Sequence, residues 1–256
     1  MTAKINVGGV YKDMTDCKVN IGGVWKTITA GWANIGGVWK SMYNSFVRYG
    51  KAYFDGSGDY LSLANSADFN FGSGDFCIEA TVTPSNVTGE RTILALYGYS
   101  SNRRSYNMSI RDGQLECRYS INGVLGVGPA GGSISSGNEY HLAFVRYGNT
   151  FKSYINGTLV VTLTPTSSAL YNNTVDALLI GAIGPNLTGY FNGETTGVRI
   201  TKGSARYTAN FTPPTYFEND TNTVLCMNFG EIIGATTFID DTGKTVTTVG
   251  NVVIVA

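Results

Sequence analysis

Residues 107–121, NMSIRDGQLECRYSI, and 140–163, YHLAFVRYGNTFKSYINGTLVVTL, decide the fold class. In both stretches apolar and polar residues alternate in short runs separated by turn residues. The turns are Asp112-Gly113 in the first, then Tyr147-Gly148-Asn149 and Asn156-Gly157 in the second. A period of two marks a half-buried strand. Asp-Gly or Asn-Gly between two such runs marks a hairpin, because both loop residues must adopt positive φ. Asn122-Gly123 is a further expected hairpin. From Lys51 onward no segment holds apolar residues at a 3.6-residue period over the ~10–12 residues a helix needs, and no blade-length repeat appears. The strands therefore predict an all-β, antiparallel two-sheet jelly-roll sandwich.

Outward from this region, the N-terminus carries a different signal. INVGGVYK (5–12), VNIGGVWK (19–26) and ANIGGVWK (33–40) recur every 14 residues. Gly-Gly between two short apolar runs suits a type I′ turn, so each unit reads as one hairpin, with Asn6 opposite Tyr11, Asn20 opposite Trp25 and Asn34 opposite Trp39. The domain reading is a repeat module over 1–48 and a sandwich over 49–256. A module this small seldom closes its own core, and tryptophan is enriched at interface centres. Tyr11, Trp25 and Trp39 are accordingly the expected attachment interface.

Composition excludes several function classes. The 256 residues include 33 glycines and only 14% charged residues, with 18 basic residues balanced by 18 acidic ones. A neutral chain lacks the electrostatic footprint of a nucleic-acid binder, and no apolar run approaches the ~18 residues of a membrane span. No signal-peptide pattern opens the sequence, so synthesis and folding in a cytoplasm are expected. Cys17, Cys77, Cys117 and Cys226 show no metal spacing and read as free buried thiols.

Further residues carry a resemblance. FDGSGDYLSL (54–63), DFNFGSGDFCIEATV (68–82), YHLAFVRYGNTFKSYINGTLV (140–160), LLIGA (178–182) and RITKGSARYTANFTPP (199–214) resemble the concanavalin A-like lectin/glucanase modules, related to laminin G domains, of tailed-bacteriophage structural proteins. The GGVWK hairpins resemble segments of phage tail proteins. The resemblance implies a concanavalin A-like sandwich in a virion component made in the host cytoplasm, associated with the tail, fibre or baseplate. Together with the aromatic repeats, this reading expects partners among other virion proteins, homo-oligomerisation and recognition of a host-surface glycan. The alternative within the same resemblance is a capsid decoration or cement protein that binds only virion proteins. Thr195, Thr196 and Thr81 depart from the family pattern, so the resemblance carries the fold and not a ligand.

The glucanase branch cleaves glycosidic bonds with two carboxylates on one strand, in an E-x-D-x-x-E-like motif. Here Glu79 and Glu116 each stand alone on their strands, so no enzyme is expected. His141, the single histidine, sits amid alternating strand residues and reads as a satisfied strand histidine, and no G-x-S-x-G or phosphate-binding glycine motif accompanies it. No cofactor is expected. The family resemblance leaves calcium open, with Asp55, Asp59, Asp240 and Asp241 as candidate ligands. The most suggestive binding segment is LYGYSSNRRSYN (96–107), read as a polar loop. There Tyr97, Tyr99 and Tyr106 would stack on sugar faces, and Asn102, Arg103 and Arg104 would hydrogen-bond hydroxyls.

Overall fold

The computed structural model describes residues 50–167, 169–184 and 186–256, together with the strand backbones within the first 49 residues. The chain divides into two compact units, Met1–Tyr49 and Gly50–Ala256. The first contains antiparallel hairpins that join β1 (Lys4–Val7) to β2 (Val10–Asp13), β3 (Lys18–Ile21) to β4 (Val24–Thr27), and β5 (Ala30–Ile35) to β6 (Val38–Asn44). Asn6 opposes Tyr11, Asn20 opposes Trp25 and Asn34 opposes Trp39, as the repeat predicts. The Gly-Gly turns, Cys17 and the side chains of Tyr11, Trp25 and Trp39 lie outside the described residues.

The second unit is all-β and consists of two antiparallel sheets. The front sheet runs in the order β13 (Ala130–Gly131), β12 (Gln114–Tyr119), β11 (Arg103–Arg111), β10 (Glu90–Gly98), β17 (Leu178–Ile180), β8 (Tyr60–Leu63), β20 (Val246–Val249). The back sheet runs β16 (Thr158–Leu163), β15 (Thr150–Ile155), β14 (Tyr140–Tyr147), β9 (Phe76–Pro84), β18 (Asn192–Lys202), β7 (Lys51–Asp55), β21 (Val253–Val255). The strand β19 (Thr223–Met227) pairs with the second half of β18, from Val198 to Thr201, while β7 pairs with its first half. Among the described residues there is no α-helix, only a 3-10 turn at Ala67–Phe69. The stretches that decided the fold class lie on different sheets. Residues 107–121 contribute to β11 and β12 in front, and 140–163 form β14, β15 and β16 behind.

Alternation along each strand explains the packing. Phe76, Ile78, Ala80 and Val82 of β9 and Leu142 and Phe144 of β14 point inward, against Leu94, Leu96, Tyr106, Met108 and Ile110 of the front sheet. Their neighbours point outward, and on the back sheet these are buried as well. Cys77, Ala143, Val145 and Tyr154 form a second cluster beneath Ala205, Tyr207 and Phe211 of the segment that follows β18. A strand covered by apolar groups on both faces should read as a continuous apolar run, as YHLAFVRY does, whereas the outward Asn107 and Ser109 of NMSIR are buried among polar partners and keep the alternation.

Turn chemistry mostly follows the sequence. Asp112-Gly113 and Asn156-Gly157 have positive φ at both residues, 47° and 75°, then 49° and 75°, as type I′ turns require. Asn122-Gly123 differs: only Gly123 has positive φ, and the Asn122 side-chain oxygen accepts hydrogen bonds from the Val124 and Leu125 amides. This pair folds a loop back on itself instead of joining two strands. The thiols of Cys77, Cys117 and Cys226 are free and buried, as expected.

Because the sandwich carries its own core, residues 50–256 expressed alone should unfold in one cooperative denaturant transition. The fragment should show no tryptophan emission, since Trp25, Trp32 and Trp39 all lie before it. A non-cooperative or insoluble fragment would place the boundary elsewhere.

Candidate functional site

Only residues 99–102 of the segment read as a polar loop form a turn, between β10 and β11. Tyr106 lies within β11 and is fully buried. Its ring stacks on Phe71 at 4.9 Å, with Phe76 beyond it at 6.5 Å, and its hydroxyl donates to the Phe69 carbonyl at 3.0 Å. Tyr106 is therefore a core residue and no stacking platform. Tyr97 is 3% exposed and packs edge-on against Tyr99 at 5.0 Å; burial pushes its phenol up to about 12. It borders a cavity of about 240 Å³ that also contacts Tyr60 and Asp176. Arg103 is held by Asp176 in a two-point ion pair, at 3.0 and 2.7 Å. Asn102 is exposed at the turn, with φ of 53°. Of the predicted group, Tyr97, Tyr99 and Arg104 come together, with the Arg104 guanidinium 5.2 Å from the Tyr99 ring centroid.

These residues border a polar face that single-strand reading did not assemble. Register places Ala95, Asn107 and Arg118 in one row across the front sheet, and Thr92, Ser109 and Glu116 in the next. Above them, Arg111 pairs with Glu90 at 2.8 Å and with Glu116 at 2.6 Å. Arg118 pairs with the same two carboxylates and reaches the Tyr99 hydroxyl. Asn107 donates to Glu90 at 3.1 Å, but its side-chain oxygen has no partner; the same is true of Thr92 Oγ1 and Arg104 Nε, and all three atoms are buried. Buried polar atoms in native proteins are paired with protein groups or with water, so these atoms mark places on one face that take a further hydrogen bond.

The outer face of the back sheet carries a second polar cluster. Glu79 on β9 is fully buried beside Arg199 of β18. Its carboxylate accepts from Arg199 Nε at 2.8 Å, from the Tyr207 hydroxyl at 2.8 Å and from His141 Nε2 at 3.0 Å. Burial pushes this carboxyl up, but the His141 hydrogen bond and the Arg199 charge outweigh it, and the group lies below its ordinary range. Burial and the neighbouring carboxylate push the Tyr207 phenol upward. His141 is not fully satisfied, contrary to the sequence reading: Nε2 bonds Glu79, whereas buried Nδ1 has no partner. The Glu79–His141 pair joins residues 62 apart, and no spacing on one strand announces it.

The candidate calcium ligands do not fit a metal. Asp59 carboxylate oxygens accept the amides of Asp55 and Asn251, and Asp240 accepts those of Cys226, Thr242 and Lys244. Among the described residues no three histidine, cysteine or acidic side chains converge. Carboxylates that converge on the front face, Glu90 and Glu116, come from different strands, and the same two arginines hold both.

A sandwich of two antiparallel sheets with a polar, aromatic-edged outer face defines the lectin-like class of β folds. Residues 55–206, more than half of the chain, match the Concanavalin A-like lectin/glucanases superfamily, and the chain belongs to it. No curated protein matches the sequence. Among solved structures, a candidate carbohydrate-binding protein from Bacteroides ovatus superposes with a TM-score of 0.62 at 16% identity, over 78% of this chain and 58% of that one. The CBM40 domain of the Ruminococcus gnavus IT-sialidase, bound to α2,3-sialyllactose, superposes with a TM-score of 0.50 at 12% identity, over 62% of this chain and 91% of that one. At such identities these likenesses establish the fold. The chain spans 58% of the length of the first of them.

Proposed function

We propose that the chain is a non-enzymatic virion component of a bacteriophage, associated with the tail, fibre or baseplate, whose sandwich recognises a glycan on the host surface. The observation that carries glycan recognition is the set of buried, unpaired polar atoms on the front sheet: the Asn107 side-chain oxygen, Thr92 Oγ1 and Arg104 Nε. A sugar offers hydroxyls that both donate and accept, so one ring can satisfy an acceptor and a donor side by side, with Tyr99 at its edge. The carbohydrate-binding relatives in the same fold support this reading. No turnover is expected at this face, since hydrolysis needs a carboxylic acid free to protonate the leaving oxygen and Glu90 and Glu116 are both clamped by arginines.

The test is a glycan array probed with the full chain, followed by calorimetry. Asn107→Ala and Arg104→Ala should each weaken binding by about tenfold, the equivalent of one lost hydrogen bond to a polar or charged group. No reducing sugar should be released. Folded variants that bind as tightly as the parent would remove the front face from consideration.

Attachment through the N-terminal repeats is the second part of the proposal. In-register hairpins put Tyr11, Trp25 and Trp39 at equivalent positions. Burying each against a partner would contribute roughly 1.5–3 kcal/mol. Trp25→Ala combined with Trp39→Ala should abolish incorporation into particles and leave the sandwich transition unchanged. Normal incorporation would show that the repeats do not anchor the protein.

A further inference from the structure

We infer that the outer face of the back sheet holds a second binding site, independent of the front face, which takes one neutral, hydroxyl-bearing ring such as a hexose in a cavity over His141. The cavity measures about 300 Å³ and lies between β9, β14 and β18 on one side and the Pro213–Phe217 segment on the other. A water occupies ~30 Å³ in the liquid, so the space equals about ten waters. That suits a single sugar ring.

Register explains why the cavity exists. On β9, Thr81 is flanked by His141 of β14 and by Gly197 of β18. Gly197 has no side chain, and Phe217 takes part of the space: a Cβ there would lie 2.9 Å from its ring. The remaining volume is lined by the apolar Pro213 and Phe217 and by the polar Thr81, Thr196, Asn156 and Glu139. A sugar ring offers a matching mixture, apolar C–H faces and polar edges.

His141 selects the chemistry. The residue is 4% exposed and borders the cavity, and its backbone amide is satisfied by the Asn156 side chain at 2.8 Å. Nε2 faces the Glu79 carboxylate, which can only accept, so Nε2 carries the proton. Nδ1, buried and without a partner, is then an acceptor in the neutral ring and a donor in the charged one. A hydroxyl satisfies it in either state. An anion would satisfy it in only one, and would also meet the Glu139 carboxylate. Glu79 fixes the ring in turn through Arg199 and Tyr207, so Nδ1 is a rigid, preoriented group.

Because His141 is the only histidine, its imidazole nitrogens give unambiguous signals in a long-range ¹H–¹⁵N spectrum of the full chain. Titration with glucose, galactose, mannose and N-acetylglucosamine should shift the Nδ1 signal saturably for at least one of them. Thr196→Phe, which adds bulk at a lining residue that makes no hydrogen bond to the Glu79 cluster, should weaken that response by about tenfold or more. A response in which no neutral sugar moves Nδ1, or only acetate, phosphate or a primary ammonium does, overturns the inference. So does an unchanged affinity in a folded Thr196→Phe variant. Failure of the front-face reading leaves this readout intact, since the signals belong to a residue on the other sheet.

Discussion

Glu79→Ala is expected to destabilise the sandwich by about 3–5 kcal/mol, the range seen when one partner of a buried ion pair is removed. The loss is large because Arg199 stays in place, 4% exposed, with its charge no longer balanced, while Tyr207 and His141 each lose an acceptor. With total stabilities of roughly 5–15 kcal/mol for domains, the variant would lie near its unfolding limit at room temperature. Urea denaturation monitored by far-UV circular dichroism measures it directly. Glu194→Ala is the contrast, since its partly exposed pair with Lys51 should be worth about 0–1 kcal/mol. A pH effect follows from the same carboxyl. Its folded-state value lies below the ordinary 4.5, so its contribution is complete above pH 4.5 and is lost as the pH falls through the folded-state value. Glu79→Gln should flatten this acid limb. Equal acid sensitivity in parent and variant would assign the limb to other carboxyls.

Gly157→Ala carries the second large effect. Its φ of 75° is left-handed, which costs a residue with a side chain about 1–2 kcal/mol. A Cβ there would also lie 1.8 Å from the Phe211 carbonyl oxygen, where no accommodation is possible without moving backbone. The hydrogen bond from the Phe211 amide to the Gly157 carbonyl, 3.0 Å long, would break as well. The expected total is about 3 kcal/mol or more. It should be accompanied by fast hydrogen exchange at Phe211 and at neighbouring amides of the segment that covers the back sheet. Gly148→Ala, also left-handed at 58° but with open space around it, should show the conformational cost alone. Equal losses for the two variants would mean that the covering segment does not depend on this contact.

The strands were legible in the sequence because a two-residue period survives wherever one face meets the apolar core and the other carries polar groups, whether these are exposed or buried in a polar network. NMSIR shows it, and so do the Asp112-Gly113 and Asn156-Gly157 turns. The signal that places Tyr106 was also present: it shares parity with Met108 and Ile110, whose side chains face inward. Reading residues 96–107 as a loop hid that parity, since β10 and β11 extend into the segment from both ends and leave a short turn. The polar clusters could not be read in the same way. Glu79, His141, Arg199 and Tyr207 come from distant points of the chain, and their meeting depends on register between β9, β14 and β18. Glu79 read as a lone acid because its partners are cross-strand neighbours, which spacing along one strand cannot reveal.

In the strand order, β7 opens the sandwich and β21 closes it, and the two lie side by side, with Lys51 opposite Val255. As a path through space the unit is almost a ring, with entry and exit at a single point on the rim of the back sheet. Such a ring can be spliced into another polypeptide with little change to either, because bridging neighbouring ends costs little loop-closure entropy. The same geometry makes the sandwich modular, because both of its own ends lie at one edge of the back sheet.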